Sequence, residues 1–297
     1  MGLQEKNNMN NSIKTITLII LLGLSGCGFQ SLQFPWSQRD EKSDMTWFLH
    51  SPSPPPAVPL TQSQPLIIRR FPTSSSYFNS ATPEQFLRCK EQLGLSPIKE
   101  VMAHDTNYGE RHTVDFEGRQ LISSPQLIVL HETVSSGLAT LNNFKTAHPR
   151  DENQASYHML IEIDGSLIRV VPDNNRAYGA GMSAFGDFTQ RIKANSVGSI
   201  NNVALHIGLV SPADGRGNGA SHSGYSNEQY STLAKQVLLW QAKYGIPMTR
   251  VTTHFAVDRS HSRYDPRSFN WNEFDKPYKE ASNRCGFNQY DHGQAGL

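Results

Sequence analysis

The sequence of 297 residues has no apolar run that approaches the roughly 20 residues a helix needs to cross a bilayer. Its charges nearly balance, with a formal net charge of +1, so the composition gives no reason to expect nucleic acid as a partner. Cysteine is scarce, with three in the chain, and no internal repeat is present. The length allows one sizeable hydrophobic core together with a long tail.

Two histidines and one aspartate stand in distinctive sequence flanks. His131 ends the apolar run Leu127-Ile128-Val129-Leu130, which is typical of a buried strand that delivers its last residue to a sheet edge. His254 follows Val251-Thr252-Thr253 in the same way, and Asp265 lies eleven residues further on, in a polar loop long enough to fold back. Any single histidine is more often a hydrogen-bonded surface or core residue than a ligand. The three flanks together favour a metal site.

The type of site follows from the number and kind of ligands. A closed structural zinc site takes four protein ligands, usually including thiolates, whereas a catalytic site takes three and keeps a position for water. Two histidines and one carboxylate, His131, His254 and Asp265, match the second kind. The pattern therefore predicts zinc as cofactor and a hydrolytic enzyme.

Capping signals and apolar runs predict the fold class. Thr82-Pro83-Glu84-Gln85 is typical of a helix start, and Gly94 of its end. A second helix is expected from the capping box Ser226-Asn227-Glu228-Gln229 to Gly245. Strands are expected at about 127–131, 157–163, 167–171, 203–210 and 250–254. We therefore predict an α/β fold, a single domain with a central mixed β-sheet flanked by helices.

The N-terminal 27 residues read as a targeting segment. Lys6 and Lys14 precede a short apolar stretch from Ile16 to Leu24, which fits a secretory signal. The stretch ends in Leu24-Ser25-Gly26-Cys27, which resembles the bacterial lipobox. Acylation of Cys27 would anchor the protein to a membrane. The alternative is an ordinary signal peptide followed by an incidental cysteine.

Residues 28–80 read as a tether and residues 81–290 as the folded domain. The tether contains Ser51-Pro52-Ser53-Pro54-Pro55-Pro56, which favours extended polyproline II. Cys89 and Cys285 bracket the domain, and in an exported protein they form either a disulfide or two buried free thiols.

The chain resembles the zinc-dependent N-acetylmuramoyl-L-alanine amidases, the family that includes phage-lysozyme-type amidases and peptidoglycan recognition proteins. Besides the flanks of the three ligands, four segments match the family's pattern in order and place the resemblance at about residues 120–275. They are Ser156-Tyr157-His158-Met159-Leu160-Ile161 with Asp164-Gly165, Val171-Pro172 with Arg176-Ala177-Tyr178-Gly179-Ala180-Gly181, Asn202-Val203-Ala204-Leu205-His206-Ile207, and Tyr244-Gly245-Ile246-Pro247.

The resemblance implies a function and its partners. The expected activity is zinc-dependent hydrolysis of the amide between N-acetylmuramic acid and L-alanine, for cell-wall turnover or remodelling. Peptidoglycan or muropeptides are then the expected partners, with a membrane contacted through the lipid anchor. The expected location is the cell envelope, on the periplasmic side or at the outer membrane of a Gram-negative cell.

Three residues are candidates for the remaining chemistry. Many family members carry a glutamate as general base on the third core strand, where this chain has His206. His206 is either a base or a satisfied hydrogen-bonding residue. The phage-lysozyme-like branch relies on a tyrosine matched here by Tyr157, which we expect to orient the attacking water. Arg263, where the family usually has lysine, is expected to stabilise the oxyanion, unless it pairs with Asp258.

A rival prediction belongs to another functional class. The missing glutamate also fits a peptidoglycan-binding module that has kept the fold and lost the activity. Retention of all three ligand residues favours the enzyme. The signal segment and tether argue against a third alternative, a cytoplasmic role in muropeptide recycling.

Overall fold

A computed structural model of the chain describes residues 80–186 and 188–288. The predicted signal segment with Cys27, and the tether except for its last residue, lie outside the described residues. The helices are α1 (Pro83–Leu93), α2 (Gly137–Lys145), α3 (Asn227–Tyr244), α4 (His254–Val257) and α5 (Trp271–Cys285). The strands are β1 (Lys99–Glu100), β2 (Tyr108–Glu110), β3 (Leu127–Glu132), β4 (Met159–Ile161), β5 (Leu167–Arg169), β6 (Asn175–Ala177), β7 (Ala204–Leu209) and β8 (Val251–Thr253).

Six strands form one mixed sheet in the order β1-β5-β4-β7-β3-β8. Only the β4–β5 pair is antiparallel, and the other neighbours run parallel. Strands β2 and β6 form a separate antiparallel pair. The predicted α/β fold with a central mixed sheet is confirmed, and the parallel strands β3 and β8 end at the same edge of that sheet.

The two predicted capping boxes are present. Thr82 accepts from the backbone N–H of Gln85 at the start of α1, and Ser226 accepts from that of Gln229 at the start of α3. Each helix ends at a glycine in the left-handed conformation, Gly94 with φ of 54° and Gly245 with φ of 68°. A residue with a Cβ is strained in that conformation, so local sequence determines these ends.

The hydrophobic core covers both faces of the sheet. On one face α1, α3 and α5 pack against strand residues of β3, β4 and β7, with Trp240, Phe274 and Tyr278 as the largest buried side chains there. Complete burial of such a side chain stabilises the fold by about 1.5–3 kcal/mol. On the other face Phe144 from α2 packs against Tyr157 and Leu160. The ends of β3 and β7 on this second face are left for polar residues.

A disulfide joins the first and last helices. Cys89 of α1 and Cys285 of α5 are bonded, with their Cα atoms 4.9 Å apart. Helix α1 also packs on α3, so the N-terminal helix is part of the core. The covalent link further stabilises the fold because it restricts the conformations of the unfolded chain.

The structure differs from the predicted elements at the short strands. The strand expected at about 157–163 spans only Met159–Ile161, and β1, β2 and β6 were not predicted. Strands of two or three residues are too short to show the alternation that identifies a strand. Within the residues described, no helix has the length and apolar character needed to cross a membrane.

Candidate metal centre

The two histidines and the aspartate predicted as ligands lie together at one edge of the sheet. His131 is the fifth residue of β3, and His254 follows the last residue of β8 directly. These strands are parallel neighbours, with Leu130 paired to Thr253, so their ends deliver both imidazoles to the same place. Asp265 returns to this edge from the loop between α4 and α5, where its carbonyl accepts from the backbone N–H of Phe255 at 2.9 Å.

The carboxylate of Asp265 lies between the two imidazoles. Its Oδ1 is 2.9 Å from His254 Nδ1 and its Oδ2 is 3.2 Å from His131 Nδ1. One ligand atom from each of the three residues lies within 4.8 Å of the others, and all three side chains are largely buried. Two imidazole nitrogens and a carboxylate oxygen are the donor set of a catalytic zinc site.

The electrostatics of the cluster suit a divalent cation. Burial lowers the pKa of His131 to about 4, so this imidazole is neutral at pH 7 and has a lone pair to offer. Burial alone raises the pKa of Asp265, but the neighbouring imidazoles of His254 and His131 outweigh it and hold that pKa well below its usual range. A neutral imidazole beside a charged carboxylate is the protonation state that a metal requires of its ligands. The residues present therefore fit a zinc ion.

Tyr157 packs directly against His131, one of the three predicted ligands. Its ring stacks on the His131 imidazole with centroids 4.5 Å apart, and its hydroxyl donates to the Glu132 carbonyl at 3.4 Å. The ring has room because β7 carries Gly208 beneath it, where a Cβ would lie 2.6 Å from Tyr157 Cδ2. Burial raises the pKa of Tyr157 well above 10, so the phenol stays protonated. The sequence-predicted candidate is thus next to the cluster.

His206 lies behind His131, fully buried. Its Nδ1 is 2.9 Å from His131 Nε2, and its backbone N–H donates to His158 Nδ1 at 3.0 Å. Burial, reinforced by His131 and His158, lowers the pKa of His206 well below 6.5. Among the described residues, His206 is not part of the cleft lining.

Arg263 is close to Asp265 but has its guanidinium available. The described residues show no ion pair between the Arg263 guanidinium and Asp258. Asp258 instead accepts from the backbone N–H of Arg263 at 2.9 Å. Asp258 also accepts from the backbone N–H groups of Ser260 and Ser262. The half-buried Arg263 lines the cleft beside the ligand cluster.

A cleft of about 600 Å³ opens over the cluster. His254, Asp265, Tyr157 and Arg263 line one part of it. The remaining wall comes largely from polar side chains of three segments. They are Asp151 and Gln154 before β4, Arg176 and Tyr178 at the end of β6, and Lys193, Asn195 and Asn201 before β7. The size and polarity suit a polar molecule that contacts the cluster.

A buried ion pair missed by the sequence analysis joins the two ligand segments. Glu132, which follows His131, accepts from Arg267 Nε at 2.6 Å and from the Arg267 backbone N–H at 3.0 Å. Arg267 stands two residues after Asp265 and also donates to the carbonyls of Gly217 and Gly219. Glu132 points away from the cluster, as strand alternation requires. A local sequence pattern cannot indicate a contact between residues 135 positions apart.

Residues 122–268 match the family model described as N-acetylmuramoyl-L-alanine amidase. A search of curated proteins gave no match.

Several solved structures are similar to the chain. A selenomethionine derivative of AmpD has 22% identity and a TM-score of 0.45, with 63% of this chain and 97% of that chain covered. AmiD from E. coli, bound to the substrate anhydro-N-acetylmuramic acid-L-Ala-D-γ-Glu-L-Lys, has 19% identity and a TM-score of 0.41, with coverage of 58% and 66%. AmpDh3 from Pseudomonas aeruginosa, bound to anhydromuramic pentapeptide, has 19% identity and a TM-score of 0.41, with coverage of 59% and 62%.

Proposed function

Because residues 122–268 belong to the N-acetylmuramoyl-L-alanine amidase family, we propose that this protein is a zinc-dependent amidase of peptidoglycan. It hydrolyses the bond between N-acetylmuramic acid and L-alanine. The main support is the convergence of His131, His254 and Asp265, of which His254 and Asp265 line the cleft. A binding module needs the cleft but has no need of three converging ligands.

The three residues would hold the ion through imidazole nitrogens and a carboxylate oxygen. A zinc ion bound by such ligands supplies a Lewis acid and lowers the pKa of a water ligand to about 7. The chain itself provides a buried carboxylate charge and a neutral imidazole at His131, so the site attracts a divalent cation and keeps a net positive charge once it is bound.

Arg263 stabilises the oxyanion that forms when the amide carbonyl is attacked. Arg263 lines the cleft together with Asp265, and no hydrogen bond from its guanidinium to another described residue is present. A guanidinium does not give up its proton at any physiological pH, so it acts as a fixed cation.

Tyr157 and the Glu132–Arg267 pair keep the ligands in place. The Tyr157 ring covers one face of His131, and its hydroxyl is bound to the Glu132 main chain. The ion pair connects the end of β3 to the loop that carries Asp265. Ligands held by packing and hydrogen bonds need less ordering when the metal binds.

We also propose that the enzyme works in the cell envelope, anchored through Cys27 and separated from the membrane by the tether. This rests on the sequence of residues 1–80. The Cys89–Cys285 disulfide supports it, because structural disulfides persist mainly in exported proteins. A tethered domain of this kind can act on wall polymer or on released muropeptides during turnover or remodelling.

The test is to identify the bond that is cut. Purified full-length protein is incubated with peptidoglycan and zinc, and the soluble products are analysed by mass spectrometry. The proposal predicts free peptides that begin with L-alanine, and a His254→Ala variant that releases none. Binding to peptidoglycan without peptide release would contradict it and favour the recognition module.

A further inference from the structure

His206 contacts the predicted ligand His131 through the ring nitrogen of His131 that does not face Asp265. The register pairs Val129 with His206 and His131 with Gly208. The two imidazoles therefore lie on the same face of the sheet, on neighbouring strands and two residues apart in register. His206 Nδ1 and His131 Nε2 are 2.9 Å apart, within hydrogen-bond distance. Both side chains are completely buried, so water does not compete for this contact.

The two nitrogens of His131 therefore face different partners. Nδ1 faces Asp265 at 3.2 Å, on the side where the ligand atoms converge, and Nε2 faces His206. A neutral imidazole carries one proton, so an Nδ1 that binds an ion leaves the proton on Nε2. In that state the hydrogen bond runs from His131 Nε2–H to His206 Nδ1.

We propose that His206 is a positioning residue of the metal centre, which accepts a hydrogen bond from His131 and thereby holds this ligand in the tautomer that binds the ion through Nδ1. The inference rests on the metal site of the proposed function. It assigns His206 a role other than that of general base. Ligand histidines commonly donate their second N–H to an acceptor, and this acceptor orients the ring and raises its basicity.

The surroundings of His206 fix its ring for this purpose. Its backbone N–H is bound to His158 Nδ1 at 3.0 Å, and the His158 ring lies nearly parallel to it. Gly179 closes the other side, since a Cβ there would lie 2.5 Å from both Cγ and Nδ1 of His206. The ring thus fills the space that the missing side chain of residue 179 leaves. Nε2 of His206 is buried and has no partner in the described part of the chain, so Nδ1 makes its one ring hydrogen bond.

The experiment measures zinc affinity of the full-length protein by competition with a chromogenic chelator, without substrate. His206→Leu removes the acceptor and should weaken zinc binding about 10–100-fold. His206→Asn carries an acceptor oxygen close to the position of Nδ1 and should bind zinc several-fold more tightly than His206→Leu. Gly179→Ala, which displaces the ring, should also lower the affinity.

A spectroscopic readout on the unaltered chain removes any dependence on how the variants fold. ¹⁵N-labelled, zinc-loaded protein should show His206 as the Nε2–H tautomer and His131 with its proton on Nε2. Unchanged zinc affinity in His206→Leu, equal affinities of the Asn and Leu variants, or a proton on His206 Nδ1 in the loaded protein would each overturn the inference. Zinc binding that depends on His206, without peptide release, would contradict the proposed amidase function alone.

Discussion

Two aspartates with nearly equal burial, Asp265 at 9% exposed and Asp173 at 8%, have different kinds of partner. Asp173 accepts from Arg169 Nη1 at 2.8 Å, from Lys243 Nζ at 3.1 Å, and from Trp240 and Tyr244. Asp265 faces the Nδ1 atoms of His131 and His254. Both carboxyls are held below their usual pKa range, although burial alone would raise each pKa.

The partners of the two aspartates differ in whether they can bind a metal as well as donate a hydrogen bond. A guanidinium, an ammonium and an indole N–H have no lone pair for a metal, and the Tyr244 hydroxyl donates its proton to Asp173, so we interpret Asp173 as a structural carboxylate. An imidazole can donate a proton or bind an ion through the same nitrogen. A buried carboxylate among imidazoles is therefore a candidate ligand, and its degree of burial alone does not reveal this.

The largest effect is expected from Asp265→Asn. The amide keeps the shape of the side chain but removes the negative charge, so zinc retention and amidase activity should each fall by more than about 100-fold. This loss is larger than the one expected when a residue that only hydrogen-bonds to a ligand is removed. Zinc content per chain and peptide release from peptidoglycan measure the two losses. A variant that keeps stoichiometric zinc and full activity would show that Asp265 is not a ligand.

Asp173→Asn should instead lower the stability of the fold and leave zinc binding and activity nearly unchanged. It leaves Arg169 and Lys243 without their counter-charge, and removal of one partner of a fully buried pair costs about 3–5 kcal/mol. Lys243 is about half exposed, so we expect Asp173→Asn to lower the free energy of unfolding by a smaller amount, about 2–3 kcal/mol. Denaturant unfolding of the metal-free protein measures it. Activity per folded molecule should stay within about twofold, and a large loss of zinc would contradict the structural role.

The arginines beside the two aspartates extend the comparison. Arg263→Ala should lower kcat about 100- to 1,000-fold, the usual cost of one oxyanion donor, with zinc content unchanged. Arg169→Ala, the matched control, should lower stability and leave kcat close to that of the unaltered protein. Steady-state kinetics with a soluble muropeptide distinguishes these results. Equal kcat values for the two variants would exclude a catalytic role for Arg263.

The smallest effect concerns the pH dependence of stability in the metal-free protein. Burial, with a contribution from Arg111, lowers the pKa of His158 from 6.5 to about 3. The unfolded chain gains a proton below pH 6.5 that the folded chain does not take up. The contribution of His158 is therefore complete above pH 6.5 and is lost by about 1.4 kcal/mol per pH unit as the pH falls toward 3.

A His158→Asn variant isolates this contribution, because the amide oxygen can still accept from the His206 backbone N–H. The free energy of unfolding of the two proteins, measured by denaturant at pH 7, 6 and 5, should differ less at each lower pH. A constant difference would mean that His158 takes up a proton as readily in the folded protein as in the unfolded chain.

The sequence predicted those features that local patterns encode. Caps at Thr82 and Ser226 marked two helices, and apolar runs before His131 and His254 placed both histidines at strand ends. The flanks of His131, His254 and Asp265 also predicted that these residues come together, and their side chains form a group that could hold a metal ion.

The remaining features depend on contacts between distant residues. No pattern around Glu132 indicated that Arg267 would neutralise it. The resemblance named His206 as a candidate, but only the register of β7 against β3 brings it to Nε2 of His131. The room for its ring depends on Gly179, which is separated from it by a loop.

The most direct test of the central claim is removal and return of the metal. Full-length protein is stripped of metal with a chelator, dialysed, and assayed on peptidoglycan before and after addition of one equivalent of zinc. We predict that release of peptides beginning with L-alanine stops on stripping and returns with zinc, with no recovery in Asp265→Asn. Undiminished peptide release by the stripped protein would contradict a zinc-dependent amidase.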